Sequence, residues 1–127
     1  MAGIRGLFKR FSSECETSDQ HREEELQTHY FKASFDKAFG MVEKFYSSPG
    51  YSITSESKEH GEMMIQKSSN PKMFIIATIV STRPLHTAVD IKVSAESTII
   101  GGAYPKLKQE ILKCYAYLGK ELRKDQR

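Results

Sequence analysis

Residues 72–97, KMFIIATIVSTRPLHTAVDIKVSAES, restrict the fold more than any other part of the chain, because they read as two long strands joined by a turn. Thr87, Val89, Ile91, Val93 and Ala95 alternate with Ala88, Asp90, Lys92, Ser94 and Glu96, the period-2 pattern of a strand with one dry and one wet face. Residues 73–80 are apolar on both parities instead. Met73, Ile75, Ala77 and Ile79 share one face, and Phe74, Ile76, Thr78 and Val80 the other. A strand patterned this way calls for cover on both sides. Within Ser81-Thr82-Arg83-Pro84-Leu85, Pro84 fixes φ and removes a backbone donor, which predicts the end of the ladder and a hairpin.

The flanking segments supply what such a hairpin needs. Residues 26–31 allow a short first strand. Ser34 can cap a helix whose stripe is Phe35, Ala38, Phe39, Val42 and Phe45, with Asp36 in the first turn, and Ser47-Ser48-Pro49-Gly50 stops it. Residues 51–57 and 62–68 read as a second hairpin in which Gly61 can take a positive φ. Its dry residues are Tyr51, Ile53, Met63 and Ile65, with Met64 on the opposite face. The last element is an amphipathic helix with Pro105 in its first turn. Tyr104, Leu107, Ile111, Cys114, Tyr115, Leu118 and Leu122 lie along one face, and lysines cover the rest.

The pattern predicts an α+β domain: a single antiparallel sheet of four to five strands packed by two amphipathic helices, in the order β-α-β-β-β-β-α. Phe35, Val42, Ile76, Val89, Ile91, Leu107, Ile111 and Leu118 are its expected core. This order of elements is similar to that of small helix-grip folds, including the lipid-binding START-like group. No residue motif accompanies the similarity, so no family follows from it.

Ahead of this domain, which is expected over residues 26–127, residues 1–25 read as a basic amphipathic segment followed by an acidic linker. Ile4, Leu7, Phe8 and Phe11 fall at helical spacing opposite Arg5, Lys9 and Arg10, the pattern of a short interfacial helix that needs a surface to fold against. That surface is an anionic membrane, a protein partner or the domain's own sheet. Glycine is third and not second, which excludes the myristoylation pattern. Residues 12–27 are polar and acidic, and Cys15 and His21 within them are expected to be solvated. Two distant cysteines with no secretory signal upstream predict a reducing, cytoplasmic setting, with peripheral attachment at the inner face of a membrane.

Chemistry is sparse. His86 and Asp90 are four apart on a strand and hence about 13 Å from each other, too far for a dyad, and both are expected on the surface. His21, His29, His60 and His86 lack metal-ligand spacing, so neither a metal nor another cofactor is expected, and no catalytic residue is assigned. Gly101-Gly102 matches no phosphate-binding fingerprint. A net charge of +3 without an aromatic-and-basic strand motif gives no ground for nucleic-acid binding.

One apolar row of the central strand remains without an evident cover, and Met63, Met64, Met73, Phe74, Ile75, Ile76 and Ile79 could line a pocket or interface there. The candidate occupants are the N-terminal stripe, a second copy forming a homodimer through the sheet, an apolar ligand, or a helix placed on the far side. The expected function is a non-enzymatic binding module, the alternative a small apolar-ligand carrier.

Overall fold

The computed structural model describes residues 14–68, 72–95 and 103–126. The N-terminal stripe from Ile4 to Phe11 and Gly101-Gly102 lie outside the described residues. The chain runs through strands β1 (Glu14–Glu16) and β2 (His29–Phe31), helix α1 (Phe35–Phe45), strands β3 (Tyr51–Ser57), β4 (Glu62–Lys67), β5 (Met73–Arg83) and β6 (His86–Ala95), helix α2 (Tyr104–Glu121) and strand β7 (Lys124–Asp125). This is an α+β fold: an antiparallel sheet with two helices.

The strand order is β3-β4-β5-β6-β2-β7, and β1 also pairs with β6. Because β5 occupies one edge of β6, both β1 and β2 lie along its other edge, opposite residues 92–94 and 87–89 respectively. The sheet thus exceeds the four to five strands predicted. The additions, β1 and β7, are three and two residues long, too short for any hydrophobic period to register.

The two long strands pair from Met73↔Ala95 to Arg83↔His86. Their connection is shorter than the sequence suggests, with only Pro84 and Leu85 between paired residues and Leu85 at φ 58°. The register shifts between Ser81 and Arg83, where the Thr82 hydroxyl donates to the His86 carbonyl (3.0 Å). Below this irregularity the parity holds. Met73, Ile75, Ala77 and Ile79 stand beside Ala95, Val93, Ile91 and Val89, and all eight are buried.

Both helices pack on this inner face. Ser34 caps α1 by accepting from the Lys37 N–H (3.1 Å), and Ala38, Phe39 and Val42 turn inward. From α2 come Leu107, Ile111, Cys114, Tyr115 and Leu118, while the Tyr115 hydroxyl donates to the Val89 carbonyl (2.6 Å). Of the expected core, Phe35 is half-buried, and Ile76, also half-buried, sits on the opposite face; the other six are buried.

The stretch expected as a solvated linker is structured wherever it is described. Cys15 pairs with Val93 and is buried, Leu26 is fully buried in a 3₁₀ turn (Glu24–Leu26), and His21 is half-buried. Thr17 extends the ladder: its N–H donates to the Ile91 carbonyl (3.0 Å), its hydroxyl accepts from the Ile91 N–H (2.9 Å) and donates to Asp90 (2.7 Å). Glu23 accepts from Tyr104 and from Lys108 (2.6 Å), tying the acidic segment to the start of α2. Composition marks such a segment as polar, but its few inward residues each find a specific partner far along the chain.

His86 also differs from expectation. It is 3% exposed, stacked beneath Tyr30 (centroids 4.9 Å apart) with its Nδ1 2.8 Å from Asp125 of β7. Its cover comes from strands 39 and 56 residues away, which no local pattern reveals.

Both thiols are free and buried. Burial pushes the Cys15 thiol up and Cys114 up to about 12. Since the thiolate is the reactive form, a thiol reagent should modify neither cysteine in the native protein within the time that labels both in denaturant. Fast labelling of Cys15 would show that β1 detaches from β6.

Candidate functional site

The outer face of the sheet carries the most unusual surface. Across it the strands align in rungs: Gln66, Phe74, Ser94 and Glu14 on one, Met64, Ile76, Lys92 and Glu16 on the next, then Glu62, Thr78 and Asp90. Neighbouring strands lie about 4.8 Å apart and alternate residues about 7 Å, so Met64, Phe74 and Ile76 form one contiguous apolar group. Phe74 is 44% exposed, Met64 39% and Val80 48%. For a sheet with a packed opposite face, this is where water would favour polar side chains.

The flanks are polar. On one side β3 contributes Ser52, Ser55 and Ser57 opposite Gln66, Met64 and Glu62. On the other, Lys92 pairs with Glu14 (3.2 Å), and Asp90 accepts from the hydroxyls of Thr17 and Thr28 (both 2.7 Å). Toward β2 the face is closed by Tyr30, Ala88 and His86, all buried.

The pleat divides the seven residues singled out as a possible apolar pocket. Met63, Met73, Ile75 and Ile79 point inward and are at most 2% exposed beneath the helices; Met64, Phe74 and Ile76 point outward. The two groups stand on opposite sides of the sheet. The inner space is filled by Ile65, Ile75, Ile91, Leu107, Ile111 and Leu118, each fully buried.

A buried polar cluster escaped the sequence reading. Glu110 of α2 is 4% exposed and accepts from Lys67 (2.5 Å), Tyr51 (2.6 Å) and Lys113 (3.2 Å). Burial alone would raise its pKa, but the hydrogen bonds from Lys67, Tyr51 and Lys113 outweigh it and hold the carboxyl below the ordinary value. The signal was present: Glu110 follows Leu107 by three and precedes Cys114 by four, which puts a charge inside the apolar stripe. The Glu110 carboxylate takes one partner from β3 and one from β4, so it holds α2 to the β3–β4 hairpin.

A shallow depression open to solvent is lined by Glu24, Gln27, Thr28, His29, Tyr30, Lys124 and Asp125. His29 stacks on Tyr115 (3.6 Å), its Nδ1 lies 2.8 Å from the Gln27 carbonyl, and burial lowers its pKa, which favours the neutral ring. Thr28, the one hydroxyl-bearing aliphatic residue in the lining, is committed to Asp90. Among the described residues no three His, Cys, Asp or Glu side chains are arranged to hold a metal ion, and no helix is long and apolar enough to cross a membrane.

Neither a scan against protein-family models nor a search of curated proteins finds a match for this chain.

Proposed function

We propose that this protein is a non-enzymatic interaction module that attaches peripherally to anionic membranes through residues 1–11 and presents the outer face of its sheet as a binding surface. The observation that carries this reading is the outward apolar group of Met64, Phe74 and Ile76 on a domain whose inner space is already full. Apolar matter would be met at the surface and not enclosed. We read the two helices against one face of the sheet as helix-grip-like. A carrier of that type would hold its ligand between helices and sheet, where Ile75, Ile91, Leu107 and Ile111 are buried in one apolar cluster.

The attachment follows from the stripe of Ile4, Leu7, Phe8 and Phe11 beside Arg5, Lys9 and Arg10, which gains both apolar burial and attraction to acidic headgroups. The chain should sediment with vesicles containing anionic lipid, less so as salt is raised, and not with neutral vesicles. Arg10→Gln should weaken binding by about 1 kcal/mol, and removing residues 1–11 should abolish it. Equal sedimentation of the truncated and intact chains would refute the attachment.

A further inference from the structure

We infer that the outer sheet face is the resting seat of residues 1–11, which dock on Met64, Phe74 and Ile76 and must leave that seat to reach a membrane. The inference rests on the same apolar face as the proposed function and adds its regulation.

Connection, shape and charge support this occupant. The chain enters the described structure at Glu14, which is paired with Ser94 on the same rung as Phe74. Phe74 is two strand spacings away, about 10 Å. Phe11 precedes Glu14 by three residues, a reach of about 10 Å when extended. The apolar stripe from Ile4 to Phe11 would be about 10 Å long as a helix, comparable to the span from Phe74 to Thr78, about 13 Å. The stripe is apolar where the face is apolar. Its Arg5, Lys9 and Arg10 would meet a face on which, among the described residues, Glu16, Glu62, Asp90 and the Lys92-paired Glu14 stand against Lys92 and, at the rim, Lys72. Tethering makes the encounter intramolecular, so a modest contact suffices to keep the seat occupied.

Two consequences differ from those of a permanently open face. Docking shields Met64, and it withholds the N-terminal stripe from lipid, lowering the apparent membrane affinity by the fraction of chains that are undocked. The test uses the full-length chain. Met64 oxidation by hydrogen peroxide, followed by peptide mass spectrometry without vesicles, should be at least about threefold faster in Phe8→Glu than in the parent. Phe74→Glu, at an exposed position that leaves the core intact, should bind anionic vesicles several-fold more tightly than the parent because its stripe is released.

Equal Met64 oxidation in the parent and Phe8→Glu would overturn the inference, as would vesicle binding by Phe74→Glu that is unchanged or weaker. Concentration-dependent protection of Met64 that survives Phe8→Glu would assign the face to a second copy and also overturn it. If neither the parent nor Phe74→Glu bound vesicles, the membrane reading would fall, while the Met64 comparison would still decide the docking.

Discussion

Replacing Ile111 by alanine should lower the unfolding free energy by about 2–5 kcal/mol. Ile111 is fully buried on the face of α2 that meets the sheet, among Leu107, Cys114 and Leu118 from its own helix and the inward row of β6. The loss combines the transfer of the removed methylenes with the cavity left behind. The upper half of the range is expected because the site has little freedom to collapse: α2 is pinned at one end by the contacts of Glu23 with Tyr104 and Lys108, and further along by the Tyr115 hydroxyl on Val89. Chemical denaturation should show a shifted midpoint with an unchanged slope. A loss below about 0.5 kcal/mol would place Ile111 at the surface and undo the packing of α2.

Lys67→Met should cost about 3 kcal/mol, the lower end of what breaking a buried ion pair costs. The variant leaves the Glu110 carboxylate buried with Tyr51 and the half-exposed Lys113 as its remaining partners. The pH dependence follows from the sign of the shift. In the parent the carboxyl's pKa is lowered in the folded state, so its stabilisation is fully present above the ordinary glutamate value of about 4.3 and is lost as pH falls through the lowered value. Without Lys67, burial counts for more, the folded-state pKa rises, and the variant should lose less stability on acidification than the parent. Parallel stability curves from neutral pH to pH 3 would mean that Glu110 and Lys67 are not coupled.

The hairpin of β5 and β6 and both helices could be read in the sequence because each is long enough for its period to repeat. The alternation of Val89, Ile91 and Val93 and the stripe of Leu107, Ile111 and Leu118 are such cases, and both point inward. The need for a cover on the second row of β5 was legible for the same reason, though not which row the helices took, since a shift of one residue exchanges them. What could not be read depends on partners distant in sequence. Cys15 is buried because it pairs with Val93, and His86 because Asp125 and Tyr30 close over it. Cys15 has no periodic neighbourhood, and the period of β6 places His86 on the wet row with Asp90. The apolar outer group was visible as Phe74 and Ile76, but its union with Met64 required the β4–β5 register.

The bulged, serine-rich β3 has a further consequence for how copies of this protein could aggregate. As the terminal strand of the sheet it exposes unpaired backbone groups, the usual template for fibril growth by strand addition. Its register shifts between Ile53 and Ser55, where the Thr54 hydroxyl turns back onto the Met64 carbonyl (3.2 Å), and Ser52, Ser55, Glu56 and Ser57 leave it little apolar side chain to offer an incoming strand. The irregular ladder and polar surface work against cross-β stacking at that end. A strand arriving at that edge thus meets a broken register and hydroxyl side chains instead of a flat apolar ladder.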